Sequence, residues 1–109
     1  MSESVFVREC DLGSVEKLIR STLEDVQKGK YDADLKPAGI TVPANLLDGL
    51  KISKSGQGMS PNEWMELVAI FGPTAATMAK DIWTIVIVPK LKQAFRDDCV
   101  SAKNPNENK

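Results

Sequence analysis

The chain has 109 residues, of which 42% are hydrophobic and 27% are charged, and its 14 basic and 15 acidic residues give a formal net charge of -1. This length and composition are typical of one folded domain and exclude a chain that is disordered throughout. The near-zero charge offers no general attraction for nucleic acid, and the lack of histidine excludes catalytic triads that need an imidazole base.

The two cysteines, Cys10 and Cys99, are predicted to be free thiols. Neither belongs to a CxxC pair, and no histidine is present to complete a zinc site. A single disulfide joining the two is the alternative. The opening residues, Met1-Ser2-Glu3-Ser4, are polar and acidic, unlike the basic start and apolar core of a secretory signal. We therefore expect a reducing, cytoplasmic setting and no metal or other cofactor.

The first part of the chain contains one clear helix. Val5-Phe6-Val7 has β propensity, but it is short and predicts only an edge strand or an attachment of the N-terminus. Apolar residues then recur at helical spacing over 15–28, namely Val15, Leu18, Ile19, Leu23 and Val26. Asp11 and Gly13-Ser14 mark the start of this amphipathic helix, and Gly29 suits the left-handed residue that follows its last turn.

Prolines and glycines interrupt the next segment, 30–58, and predict no long regular element. Two structures remain open for residues 38–54. Pro43 is suited to begin a short helical turn that reaches Leu50. Alternatively, Asp48-Gly49 turns the chain between alternating apolar residues on either side, which gives a short β-hairpin within an otherwise irregular segment.

A second helix is predicted over 61–71. Ser60 and Glu63 have the spacing of a capping box, and Pro61 suits the first helical position. The helix is expected to end at Gly72. Its apolar positions are Trp64, Leu67, Val68 and Phe71.

A third helix is predicted to begin after Pro73 and to become apolar on every side over 82–88. The β-branched residues in this run favour a strand, but the helical period continues on both sides of it, so a helix is favoured. Pro89 removes the hydrogen bond to the carbonyl of Ile85, which predicts a kink before a final basic turn or two that end near Phe95.

These patterns predict a mainly α fold, a small domain of three to four helices with a short β-hairpin or an irregular segment at 38–54. The domain is expected to cover residues 4–98. The polar residues 99–109 have few apolar side chains to bury, and they are predicted to form a disordered C-terminal tail.

A membrane segment over 67–89 is not expected, although it has a suitable length. Its apolar residues contribute about 3–5 kcal/mol to insertion, whereas Lys80 and Asp81 near its middle cost about 5–7 kcal/mol together. Nucleic acid is not expected either. The one basic cluster, Lys90, Lys92 and Arg96, lies at the end of a predicted helix, where cations complement the helix dipole.

No group of residues has the spacing of a catalytic or metal site. The acidic pairs Asp32/Asp34 and Asp97/Asp98 fit no known cation-binding loop, and Glu63 is explained by its capping role. Gly56-Gln57-Gly58 lacks the further residues of a phosphate-binding loop. The sequence therefore predicts neither an enzyme nor a cofactor-binding protein.

Surface recognition is the largest function class that remains. An all-round apolar helix needs more cover than two amphipathic helices offer, so we expect a homodimer or another protein to contact Trp83, Ile87 and Leu91. The predicted function is that of a non-enzymatic interaction module: an adaptor, an inhibitor, an immunity-type or a regulatory accessory protein. Alternatives are a membrane-surface protein that uses the apolar 67–95 region and an accessory subunit of a larger complex.

Overall fold

The computed structural model describes residues 2–55 and 63–103. Its main elements, in chain order, are β1 Ser2–Val7, α1 Leu12–Gln27, α2 Asp32–Leu35, β2 Lys51–Ser55, β3 Met65–Ile70, α3 Ala79–Ile82, a π-helical turn Trp83–Ile87, α4 Val88–Phe95 and β4 Val100–Ser101. Short 3-10 turns cover Lys36–Ala38 and Asp97–Cys99. The prediction of a mainly α fold is wrong, because the strands form a four-stranded antiparallel sheet and the fold is mixed α/β.

The sheet has the strand order β2-β3-β1-β4, so β1 and β3 are its central strands. Val5 lies opposite Leu67, and Glu3 lies opposite Ala69. Because residues directly opposite each other share a face, Val5, Leu67 and Ala69 all point to the same side. On that side they are buried in one core with residues of the helices. The helices therefore pack against one face of the sheet.

The helix predicted over 61–71 is replaced by strand β3. Residues 65–70 pair with β1 on one side, and residues 66–70 pair with β2 on the other, which satisfies their backbone groups in two ladders. Leu67 is buried, whereas its neighbour Val68 lies on the opposite face and is only partly buried. A helix would have placed both on the same side. The expected cap at Ser60 and Pro61 lies outside the described residues.

Val5-Phe6-Val7 forms a strand, but a central one and not an edge strand. Neither structure considered for residues 38–54 is present as a whole. The chain turns at 44–49 without a regular helix, and β2 pairs with β3 instead of returning to residues 40–42. Leu46 is buried in the core, and the amide of Leu47 donates a 3.0 Å hydrogen bond to the side-chain oxygen of Gln27.

Helix α1 confirms the prediction closely. The carboxylate of Asp11 accepts hydrogen bonds from both the amide and the hydroxyl of Ser14, which caps the first turn. Gly29 has φ +90°, and its amide bonds to the carbonyl of Val26. The next amide, that of Lys30, bonds to the carbonyl of Asp25. These two bonds form the Schellman motif that ends the helix.

Residues 79–95 are helical, as predicted for 82–88, but the helix widens before Pro89. The amide of Val88 bonds five residues back to the carbonyl of Trp83, which defines the π-helical turn. Pro89 cannot donate to the carbonyl of Ile85, and the wider turn accommodates this missing bond.

The sheet extends beyond the expected domain boundaries of 4 and 98. Ser2 is paired with Ile70, and Val100 of the short edge strand β4 is paired with Val7. Residues 99 and 100 are buried, so they belong to the folded body and not to a tail. In the described ranges 2–55 and 63–103, the structure contains no helix with the length and apolar character needed to cross a membrane.

Candidate protein-binding face

In the described parts of the chain, the helices leave one face of the sheet without a helical layer, and we call it the open face. Along β1 and β3 it carries Phe6, Glu66, Val68 and Ile70, which alternate with the buried residues. Ile70 is 42% exposed, and among the described residues it is the one large hydrophobic residue that is classed as exposed. Phe6 and Val68 are partly exposed and do not belong to the core cluster.

Trp64 and Arg8 extend the open face past the paired ends of β3 and β1. The guanidinium carbon of Arg8 lies 4.7 Å from the centre of the Trp64 ring, within the range of a cation–π interaction. Phe6, Trp64, Val68 and Ile70 thus form an apolar stripe, a name we use for these four residues. Small side chains border it, because Ser4 and Ser53 lie on either side of Val68.

The open face carries two cationic groups near opposite ends of the apolar stripe. Lys51 of the edge strand β2 lies directly opposite Ile70. At the other end, the Nε atom of Arg8 is buried and has no hydrogen-bond partner among the described residues. Because this atom is screened from solvent, the cationic group that Arg8 presents is its guanidinium, which lies over the Trp64 ring.

On the other side of the sheet, an ion pair attaches the edge strand β2 to the helical layer. Lys54 lies opposite Leu67, on the covered face, and its Nζ is 3.0 Å from Oε1 of Glu16 in α1. Hydrogen bonds from Lys54 and Arg20 hold the pKa of Glu16 below its ordinary value. The helical side of β2 is therefore engaged within the chain, whereas Lys51 faces the open side.

The structure places the predicted interface residues Trp83, Ile87 and Leu91 in the core, where they are only 3%, 1% and 1% exposed. A partner was expected there because the predicted helices left cover short, and helices α1 and α2 together with the unpredicted sheet supply that cover. Trp83 packs edge-on against Phe71, with ring centres 6.3 Å apart. The homodimer itself stays a prediction, but the single chain presents no surface at these three residues for it to use.

The other sequence candidates do not converge into a site. The described residues contain no group of three or more histidine, cysteine, aspartate or glutamate side chains that could hold a metal ion. Lys92 lies 3.9 Å from Asp97, and Arg96 lies 2.9 Å from Glu9 and 3.8 Å from Asp98, so part of the predicted basic cluster is neutralised locally.

Two surface depressions of about 220–230 Å³ are shallow and lack a convergent set of reactive groups. One is lined by Asp32, Lys36, Ile40, Thr41 and Val42. The other is lined by Tyr31, Asp34, Ile85, Val86, Pro89, Lys90 and Gln93. Each contains one acidic residue of the pair Asp32/Asp34, which the structure therefore separates between two surfaces.

Sequence reasoning missed the open face because it assigned 61–71 to a helix. The signal for a strand was weak, since residues 65–70 are apolar except for Glu66, and a short apolar run fits a buried strand or a buried helix. Searches of protein-family models, of curated proteins and of solved structures find no match to this chain.

Proposed function

We propose that this chain is a cytoplasmic, non-enzymatic protein-binding module, an adaptor, inhibitor or regulatory accessory protein, and that its open face is the docking surface. The observation that carries the proposal is the apolar stripe. Four large apolar side chains lie on one sheet face, outside the core that the helices cover. Contiguous exposed apolar surface bordered by polar residues is typical of interaction sites.

The chemistry of the face supports a partner with apolar side chains and at least one carboxylate. Trp64 and Arg8 combine the two residue types most enriched in binding hot spots. A carboxylate of the partner pairs with the guanidinium of Arg8, and the positive charge of Lys51 favours an acidic surface at the opposite end.

The edge strands argue against recognition by strand addition. Strand β2 carries Lys51 and Lys54 within five residues, and β4 is only two residues long. Charged and very short edge strands hinder pairing with another chain. The partner therefore docks against side chains of the open face and not through backbone hydrogen bonds along an edge strand.

The test uses Ile70→Glu, with Thr84→Glu as its matched control. Ile70 lies opposite Lys51, so the introduced glutamate gains a cross-strand ion pair while it repels an acidic partner. Thr84 is exposed on the π-helical turn, on the helical side of the molecule. Both variants receive the same charge, and both should keep the circular dichroism spectrum of the wild type.

A photoreactive amino acid is placed at position 70 or at position 84, and the protein is illuminated in a native lysate. We expect a discrete cross-linked product from position 70 only. We also expect Ile70→Glu, but not Thr84→Glu, to lower the yield of the cross-linked partner protein at least tenfold. Equal cross-linking from both positions, or unchanged capture by Ile70→Glu, would refute the open face as the docking surface. A product with twice the mass of the chain identifies the partner as a second copy.

A further inference from the structure

The sulfur of Cys99 is buried and contacts two charged side chains. The residue is 1% exposed. Nη2 of Arg96 donates a hydrogen bond to Sγ of Cys99 at 3.1 Å, and this Sγ lies 3.5 Å from Oε2 of Glu9. Arg96 and Glu9 also bind each other at 2.9 Å.

The two residues over Cys99 have unusual backbone conformations. Glu9 has φ +57° and Arg96 has φ +122°, and within the described ranges they are the two non-glycine residues with positive φ. Such conformations cost energy in residues that carry a Cβ, and they concentrate at functional sites. Both positions direct their side chains to the same sulfur, which makes the arrangement specific.

Cys10 belongs to the same cluster. Its Sγ donates to the carbonyl of Arg8 at 3.2 Å, while the amide of Arg8 donates to the carbonyl of Cys99 at 3.0 Å. Both cysteines are thus bound to the backbone of one residue. Burial, and then the proximity of Cys99, raise the pKa of the Cys10 thiol. Both cysteines are free in the structure.

We propose that Cys99 and Cys10 are a redox-modified pair in which hydrogen peroxide oxidises Cys99 and Cys10 then closes a reversible disulfide with it. The Glu9 carboxylate accepts the proton of Cys99, and the guanidinium of Arg96 stabilises the thiolate. The thiolate attacks one peroxide oxygen: an S–O bond forms, the O–O bond breaks, and the departing hydroxide takes the proton from Glu9 to become water. Cys99 is now a sulfenic acid.

In the second step the sulfur of Cys10 attacks the sulfur of Cys99. The S–S bond forms, the S–O bond breaks, and the departing hydroxide leaves as water with the proton of Cys10. Two thiols and one hydrogen peroxide molecule thus give one disulfide and two water molecules. The side chains of Glu9 and Arg96 over the sulfur are 39% and 64% accessible, so peroxide approaches Cys99 from the solvent side of this pair and the core need not open.

Purified wild-type protein is treated with one equivalent of hydrogen peroxide under denaturant-free conditions. We expect both free thiols to disappear, the intact mass to fall by two hydrogen atoms, and a peptide map to contain the Cys10–Cys99 linkage. Dithiothreitol should restore both thiols. Linkages between different molecules, or oxidation of the two residues without a linkage, would overturn the proposal.

Two variants separate the roles of the residues. Cys10→Ser should stop at the sulfenic acid of Cys99, which a dimedone-type reagent traps as a single adduct; trapping on neither residue contradicts the proposal. Arg96→Gln should slow the loss of the Cys99 thiol about tenfold, because a neutral amide stabilises a thiolate less than a guanidinium does. Arg20→Gln, an exposed arginine of α1, is the matched control and should react at the wild-type rate. Equal rates for both would exclude Arg96 as the group that activates the sulfur.

Discussion

The indole Nε1 of Trp83 donates a 2.8 Å hydrogen bond to the backbone carbonyl of Ser4. This bond joins the first residue of the π-helical turn to a central strand of the sheet. Trp83 is 3% exposed and also packs against Phe71, so its apolar ring and its polar N–H are both satisfied within one chain. The apolar helix over 82–88 therefore finds much of its cover on the sheet.

Trp83→Phe should lower the free energy of unfolding by about 1–3 kcal/mol, because the Ser4 carbonyl loses its donor in a mostly buried setting. Trp83→Arg should leave the chain unfolded, since it introduces an unpaired charge at that position. Chemical denaturation followed by circular dichroism measures the first variant, and the far-UV spectrum measures the second. If Trp83→Arg instead gives a smaller species that is still helical, Trp83 lies at a subunit interface.

Leu67→Ala and Val68→Ala test the alternation along β3. Leu67 is fully buried, so its truncation should destabilise the protein by about 2–5 kcal/mol. Val68 lies on the open face and is only partly buried, so its truncation should cost less than about 1 kcal/mol. Urea midpoints of the two variants provide the comparison. Similar losses at both positions would favour the helix that the sequence predicts for 61–71.

Gly72→Ala should be among the most destabilising glycine substitutions in the described chain. A Cβ built at Gly72 overlaps the backbone carbonyl oxygen of Asp48, and backbone atoms cannot rotate away as a flexible side chain can. The turn at 44–49 must then move from the end of β3. Gly13→Ala is the control, because its Cβ meets only the Asp11 carboxylate at an ordinary 3.5 Å in the first turn of α1. Thermal unfolding should show a large loss for the first variant and none for the second.

The cap of α1 should make stability depend on acid pH. Hydrogen bonds from the side chain and backbone of Ser14 lower the pKa of Asp11 from its ordinary value of 3.8. The folded state thus binds the proton more weakly than the unfolded state, so the ionised cap stabilises the fold above the unfolded pKa and this contribution is lost as the pH falls through the folded pKa.

Wild type should therefore have a higher unfolding midpoint than Asp11→Ala at neutral pH, and the difference should shrink as the pH falls below 3.8. Asp11→Asn keeps a side-chain acceptor that does not titrate, so it should retain part of the cap at every pH. A wild-type advantage over Asp11→Ala that does not change between neutral and acid pH would show that ionisation of Asp11 plays no part in the cap.

Short-range patterns in the sequence were sufficient for α1 and for the helical state of 82–88. Asp11 caps the helix through Ser14, three residues away, and the apolar face of α1 repeats with each turn. The bonds that end the helix at Gly29 span at most five residues. All of these interactions are local, so the residues that make them can be identified from the chain alone.

Strand β3 and the two candidate sites depend on residues that are distant in sequence. The short apolar run 65–70 fits a helix or a buried strand, and its pairing with β1 and β2 selects the strand, because a strand satisfies its backbone only through another segment. The open face exists because helices cover the opposite side of the same sheet. Arg8 likewise meets Trp64, and its amide meets the carbonyl of Cys99, only after β1, β3 and β4 have paired. Local periodicity carries no information about which distant segment supplies those partners.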